Sequence, residues 1–240
     1  MTARATSSLS ILAMDTAGGA CSAALWHDGG LAARRFEALQ RGHAERLLPM
    51  IEAVMAEGGL SYGDLDGLAV TLGPGGFTGV RIGLAAARGL ALACSRPLVG
   101  ASNFRVLASA ARAEIPADGS LAVVIDAKRR DLYVQAFAAD LRPRGDPVSV
   151  LPEALPEILP AGPLVLVGDG VAQAAPALEA AGRPFALAAA RGTSGATDAG
   201  DLAALVAAEG LEAMAGQPVE PLYLRPPDAT PAKDKAARQP

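Results

Sequence analysis

The sequence contains few of the residues that build metal centres or disulfide frameworks. Only two of its 240 residues are cysteine, and only two are histidine. Cys21 and Cys94 form no C-x-x-C pair, which indicates a reducing compartment and small buried side chains. His27 and His43 are not spaced at i, i+4, so no helix presents both imidazoles on one face. The sequence therefore predicts no metal site.

Positive charge and long apolar runs are also scarce. The chain has 21 Lys and Arg against 25 Asp and Glu, a net charge of −4, whereas autonomous nucleic-acid binding normally needs a basic face. We expect any contact with RNA to be made by another protein. No apolar run approaches the roughly 20 residues that cross a bilayer, and Leu9–Met14 is too short for the core of a signal peptide. The protein is thus expected to be cytoplasmic, with no membrane partner.

The patterns of hydrolytic enzymes are missing as well. No serine lies in a G-x-S-x-G motif, and the sequence offers no evident pair of a nucleophile and a base. Glu45 and Glu52 fall on the polar face of a predicted helix, where carboxylates are usually solvated. We predict no catalytic residue in this chain.

What the sequence does contain is a repeated pattern of strands and helices. Leu9–Met14 and Leu121–Asp126 each predict a buried strand that leads to an aspartate, followed by a hairpin, another strand and alternating helices and strands. We predict an α/β fold with two related lobes, 1–104 and 105–225, the last helix packing back on the first lobe. The proline-rich and charged residues 226–240 are predicted to form a flexible tail.

A glycine-rich turn between a predicted strand and a long helix is the most distinctive local pattern. A strand, a glycine turn and a helix N-terminus in that order can bind an anion through free N–H groups and the helix dipole. Asp15 and Thr16, at the end of the first strand, could hold a hydrated magnesium ion and a phosphate, or could simply cap local backbone groups. The candidate phosphate site comprises Asp15, Thr16, Gly73, Gly75 and Gly76.

Two predicted helices carry patterns typical of close packing. The helix at 43–57 has an apolar stripe, and the helix at 78–94 has small residues four apart, at Gly79, Gly83 and Ala87, with a second pair at Gly89 and Ala93. Each glycine inside a helix costs roughly 1 kcal/mol relative to alanine, so a close neighbour is expected to compensate. Arg81 and Arg88 share one face of the second helix and could flank an interface or extend to water.

The loop 126–131 holds three cations, Lys128, Arg129 and Arg130, directly after a buried strand. Both an anion or partner contact and a solvated hairpin tip fit this pattern.

Four segments carry a resemblance to a known family: Asp15–Trp26, Gly42–Ile51, Gly73–Gly83 and Ile125–Tyr133. Over roughly residues 9–225 the chain resembles the TsaB (YeaZ) family, the dimerisation subunits of the bacterial machinery for tRNA threonylcarbamoyladenosine. The resemblance implies a two-lobed actin-like ATPase fold of the sugar kinase, Hsp70 and actin class, which is ribonuclease-H-like. It also implies kinship with TsaD, which holds its metal with H-x-x-x-H; here His43 is followed by Leu47 four residues later.

The resemblance implies a non-catalytic scaffold that pairs with TsaD through the two helices. TsaE, an ATPase, is the implied third member, a TsaC-type enzyme supplies threonylcarbamoyl-adenylate, and the same surface would form a homodimer without TsaD. No cofactor is expected beyond weak nucleotide binding at a subunit junction. The predicted interface consists of Leu47, Met50, Ile51, Val54, Met55, Gly79, Val80, Arg81, Gly83, Leu84, Ala87 and Arg88.

One variant tests that surface: Gly83→Leu is expected to abolish pairing with TsaD while leaving the fold intact. The alternative function is an actin-like enzyme that binds ATP through Asp15 and the glycine turn, and a peptidase ranks third.

Overall fold

The computed structural model describes residues 9–189 and 195–225. The predicted tail, 226–240, therefore lies outside the described residues. Two five-stranded sheets, each with helices on its faces, make up the two lobes.

The first sheet has the strand order β3-β2-β1-β4-β5. Its strands are β1 (Ile11–Asp15), β2 (Ala20–His27), β3 (Gly30–Ala38), β4 (Gly67–Thr71) and β5 (Leu98–Ala101). The first three strands are antiparallel, while β1, β4 and β5 are parallel to one another. β1 and β4 are entirely buried, as expected for strands with helices on both faces.

The second sheet repeats this arrangement, with the order β8-β7-β6-β9-β10. Its strands are β6 (Ser120–Asp126), β7 (Leu132–Ala138), β8 (Val148–Val150), β9 (Leu164–Val167) and β10 (Ala186–Leu187). Again the hairpin strands are antiparallel and the following strands parallel. The internal repeat predicted from the sequence is confirmed.

Seven α-helices complete the described part of the fold. They are α1 (His43–Gly58), α2 (Phe77–Cys94), α3 (Asn103–Ala110), α4 (Leu155–Ile158), α5 (Val171–Ala180), α6 (Ala199–Glu209) and α7 (Leu211–Met214). α6 and α7 are separate helices because Gly210, which lies between them, adopts a φ of 91°.

Two helices, α3 and α6, connect the lobes. Phe104 and Leu107 of α3 pack in the core of the second sheet, with Leu121 and Phe137. In return α6, which follows the second sheet in the chain, packs on β1, β2 and β4 of the first. The first lobe therefore depends on α6, which follows the second sheet in the chain, whereas α3 lies at the junction of the two lobes in sequence.

By length and composition alone α2 could cross a membrane, with a mean hydropathy of 1.3 over its 18 residues. Its inner side, which includes Val80, Leu84 and Ala91, is instead buried in the core of the first lobe. This inner side does not account for all of the helix's apolar character, because residues on its outer side are apolar too.

Candidate functional site

The apolar stripe of α1 faces the core of its own lobe. All five side chains predicted for a partner interface are at most 6% exposed and pack with Leu12, Met14 and Leu25. They are Leu47, Met50, Ile51, Val54 and Met55. A partner bound to this fold does not touch them, so the prediction is wrong for these residues.

The first row of small residues on α2 also has an internal neighbour. A Cβ at Gly79 would lie 2.2 Å from the carbonyl oxygen of Thr16, and a Cβ at Gly83 would lie 2.7 Å from Thr16 Oγ1. Thr16 Oγ1 in turn donates a hydrogen bond of 2.7 Å to the carbonyl of Gly79. These glycines let α2 approach the end of β1, and the expectation that Gly83→Leu leaves the fold intact is wrong.

The neighbouring members of the predicted interface are buried as well. Val80, Leu84 and Ala87 are 1%, 3% and 0% exposed, respectively. Only the two arginines of the predicted set on α2 are exposed.

A different set of residues forms the outer face of α2. Ala85, Gly89, Leu92 and Ala93 are exposed and follow one another at i, i+4, i+7 and i+8. Leu92 is 84% exposed, and a Cβ built at Gly89 has no other atom within 4 Å. We call these four residues the outer stripe; the Gly89 and Ala93 spacing in the sequence was the signal for it.

Arg81 and Arg88 hold a segment of their own chain, residues 219–225, along α2. Arg88 Nη2 donates to the carbonyl of Val219 at 2.7 Å, and Arg81 Nε donates to Tyr223 Oη at 2.9 Å. We call residues 219–225 the strap.

The strap continues from α2 to the second lobe. The amide of Leu222 donates to the carbonyl of Leu72, beside the glycine turn, at 2.7 Å. Arg225 Nη2 then donates to Asp131 Oδ1, at the start of β7, at 2.5 Å. The strap thus fastens α2, the glycine turn and the second sheet together.

The backbone amides of the glycine turn are largely occupied. Gly73 N donates to Asn103 Oδ1 at 3.1 Å, and Gly76 N donates to the carbonyl of Ala17 at 2.7 Å. A Cβ at Gly75 would lie only 2.0 Å from that same carbonyl oxygen, so this glycine is required for the close approach of the turn to Ala17. The turn is therefore packed against β1 rather than open for a phosphate at Gly73 and Gly76.

Asp15 lies beneath this turn and is fully buried. Its Oδ1 accepts hydrogen bonds from Thr71 Oγ1 and from the amide of Ala17. Its Oδ2 is buried and has no hydrogen-bond partner within the described residues. Burial raises the pKa of this carboxyl to about 7, so near neutrality it is partly protonated. The sequence prediction of Asp15 as a metal or phosphate ligand does not match this position.

A cleft of about 580 Å³ lies between the lobes, next to the glycine turn. Thr16, Gly19 and His43 line it from the first lobe, and Asp126, Lys128 and Asp169 from the second. Lys128 Nζ lies 3.0 Å from Asp126 Oδ2 and 3.5 Å from Asp169 Oδ2. Lys128, one of the three cations of the 126–131 loop, therefore neutralises two carboxylates of its own lobe, at the position where a ligand would enter the cleft.

Within the described residues no group of three or more metal-ligating side chains comes together. One contact that the sequence reasoning missed is Ser10 Oγ to His27 Nδ1, at 2.9 Å, with His27 Nε2 3.3 Å from Asp28 Oδ2. Ser10 is 3% exposed and directly precedes β1, beside the end of β2. A substrate cannot reach such a hydroxyl, so the pair serves as a cross-strand contact and not as a nucleophile with its base.

Comparison with known proteins decides the family. A family model described as TsaD, tRNA N6-adenosine threonylcarbamoyltransferase, matches residues 37–149. The tRNA threonylcarbamoyladenosine biosynthesis protein TsaB of Escherichia coli is 43% identical over 130 residues, which is 54% of this chain and 55% of that protein. The structure of YeaZ from Pseudomonas aeruginosa superposes with a TM-score of 0.72 at 32% identity, covering 90% of this chain and 100% of that one.

This chain belongs to the TsaB (YeaZ) family. The alignments span about half the length of the curated TsaB relatives that it matches first. The activator of 2-hydroxyisocaproyl-CoA dehydratase from Clostridium difficile, solved with bound ADPNP, is 10% identical with a TM-score of 0.53, covering 85% of this chain and 96% of that one. That likeness concerns the fold alone, and the predicted two-lobed actin-like ATPase fold of the TsaB family is confirmed.

Proposed function

We propose that this chain is a non-catalytic subunit in the biosynthesis of tRNA threonylcarbamoyladenosine. In this role it binds TsaD and supports threonylcarbamoyl transfer to the adenosine next to the anticodon. The names of its TsaB relatives support the process, and the outer stripe of α2 supports the role within it.

The outer stripe carries the proposal because the fold gives no other reason for it. Leu92 is 84% exposed, and nothing in the described part of the chain packs on Gly89. A glycine inside a helix costs roughly 1 kcal/mol relative to alanine. Small residues in a row let a second helix approach closely, and a partner helix seated on Gly89 and Ala93 would offset that cost. α1, which contacts α2, also exposes Leu48, to 50%.

The proposal also assigns no catalytic reaction to this chain. Asp15 is buried under the turn, the amides of Gly73 and Gly76 have partners, and Lys128 pairs with the carboxylates of the cleft. These contacts argue against the alternative of an enzyme that binds ATP through Asp15 and the turn. We therefore assign the transfer chemistry to TsaD and no resident cofactor to this chain.

The proposed assembly is the one that the family resemblance implies. TsaD is the direct partner, TsaE the third subunit and a TsaC-type enzyme the source of the activated threonylcarbamoyl group. Without TsaD the outer stripe would pair with a second copy of this chain. The net charge of −4 supports contact with tRNA through the complex only, in the cytoplasm.

Gly89→Leu tests the proposal, because a Cβ at this position has no neighbour within 4 Å in its own chain and the larger side chain obstructs the approach of a partner helix. We expect its affinity for TsaD of the same organism, measured by calorimetry, to fall at least about ten-fold. Threonylcarbamoyladenosine formation in a reconstituted assay should fall with it. Ala172→Leu, an exposed helical position in the second lobe, is the matched control and should bind normally. If Gly89→Leu binds TsaD as tightly as the wild type, the outer stripe is not the docking surface.

A further inference from the structure

We propose that Arg81 is a pre-formed receptor for a carboxylate on the partner, an aspartate or glutamate presented by a helix of TsaD. This inference rests on the proposed function and adds a recognition residue to the docking surface. The outer stripe supplies apolar contact, and Arg81 supplies a directed polar contact beside it.

The guanidinium of Arg81 is held in place by two aromatic rings. Its central carbon lies 3.7 Å from the centroid of the Phe77 ring and 5.9 Å from that of Tyr223. The two rings are themselves 5.3 Å apart. Arg81 Nε donates to Tyr223 Oη at 2.9 Å, which fixes the rotation of the guanidinium plane. An arginine ordered in this way loses little further conformational entropy when it binds.

This arrangement leaves the outer edge of the guanidinium for a ligand. Nε is engaged with Tyr223, whereas the two terminal nitrogens have no hydrogen-bond partner among the described residues, and the residue is exposed. Their paired N–H groups match the two oxygens of a carboxylate in an end-on, bidentate geometry. The site therefore selects a planar anion.

Arg81 has no carboxylate partner within the described residues, whereas six arginines do; Arg88, Arg96 and Arg183 instead donate to backbone carbonyls. α2 contains no acidic residue, and Arg81 has no ion pair within the described part of the protein. Arginines with a carboxylate partner are Arg34, Arg35, Arg46, Arg105, Arg142 and Arg225. A cation that is positioned by aromatic rings but has no counter-ion is suited to bind an anionic group of another molecule.

The position of Arg81 indicates a protein carboxylate rather than an RNA phosphate. Phe77, Arg81, Ala85 and Gly89 follow one another at intervals of four, so Arg81 lies at the N-terminal end of the outer stripe. A helix that packs along the stripe passes directly over it. The chain as a whole carries a charge of −4, which disfavours a polyanion more than a single side chain.

Three variants test the inference in the complex of this chain with TsaD of the same organism. Arg81→Gln should weaken binding about ten-fold, and Arg81→Lys should recover only part of the loss because an ammonium lacks the planar fork. Arg142→Gln removes one positive charge at an exposed arginine that pairs with Asp140, away from α2 and the strap, so it should bind within about two-fold of the wild type. Each variant is first checked for an unchanged melting temperature. Equal losses for Arg81→Gln and Arg142→Gln would mean that the overall charge of the chain matters and the receptor does not.

A charge reversal identifies the partner group. Arg81→Glu should bind more weakly than Arg81→Gln, and one Asp→Arg or Glu→Arg variant of TsaD should restore its binding. If the wild-type proteins form no complex, the proposed function fails. If the complex forms and all Arg81 variants bind like the wild type, this inference alone is overturned. If the Arg81 variants bind TsaD normally but lower the affinity of the complex for tRNA, the anion is an RNA phosphate and the carboxylate assignment is wrong.

Discussion

At the residue scale, the buried carboxyl of Asp15 makes the stability of the fold depend on pH. Its pKa is about 7 in the folded chain against 3.8 for the free group. The unfolded chain thus loses this proton from about pH 4 upward, while the folded chain keeps it until about pH 7. The contribution to stability is present below pH 4, falls as the pH rises to 7 and then stays level. The difference corresponds to roughly 4 kcal/mol.

Asp15→Asn should remove this dependence because the amide does not ionise. The side-chain amide of the variant keeps an oxygen for Thr71 and Ala17, and any cost of its extra N–H groups is the same at each pH. We expect the stability of the variant relative to the wild type, measured by urea unfolding, to rise by a few kcal/mol from pH 4 to pH 8. A constant difference between the two proteins across this range would show that Asp15 is ionised in the folded state.

The burial of Asp15 also marks a limit of sequence reasoning. Its place at the end of the first strand was predicted correctly, and carboxylates at strand ends often serve as ligands. Its environment depends on the parallel pairing of β1 with β4 and on Thr71, which is 56 residues away in the chain. Local patterns do not contain that pairing, so they could not distinguish a ligand from a buried acid.

At the element scale, the inner face of α2 requires glycine, whereas its outer face does not. A Cβ at Gly79 would meet the backbone carbonyl of Thr16, which cannot move without disturbing β1, whereas a Cβ at Gly89 meets nothing. Gly79→Ala should therefore lower stability by roughly 1–3 kcal/mol. Gly89→Ala should raise it by up to about 1 kcal/mol through helix propensity. Thermal unfolding of both variants measures this contrast, and a stabilised Gly79→Ala would contradict the packing of α2 on β1.

The helices also illustrate what periodicity can predict. The stripe of α1 indicated an amphipathic helix whose five apolar positions were assigned to a partner, and all five are buried in their own lobe instead. Periodicity tells that a face is covered, but not whether its own lobe or a partner covers it. The same holds for α2, where spacing revealed two rows of small residues. Only the sheet beneath the helix decides that Gly79 and Gly83 face inward and Gly89 outward.

At the scale of the whole molecule, the duplicated topology was predictable because each lobe begins with the same strand and hairpin pattern. Val106 of α3 packs with α6 in the first lobe and Phe104 and Leu107 of α3 pack in the second, so α3 connects the two cores. The strap was not predicted, because residues 219–225 have no periodicity, and their partners lie in both lobes. Contacts of this kind join residues that are distant in the sequence and meet only in the folded chain, so no local sequence pattern predicts them.

The ion pair between Arg225 and Asp131 gives a test of the strap as a link between lobes. Asp131 has an 11% exposed side chain and would be left with Ser149 as its remaining hydrogen-bond partner in Arg225→Ala. Loss of a partly buried pair should cost roughly 1–3 kcal/mol. Hydrogen exchange of the Leu222 amide should then accelerate, while the amides of α6 keep their protection. Arg142→Ala, which removes an exposed ion pair with Asp140, is the control and should change neither. Unchanged exchange at Leu222 in Arg225→Ala would mean that the contacts of Arg81 and Arg88 and the packing of Leu222 and Leu224 hold the strap without the ion pair.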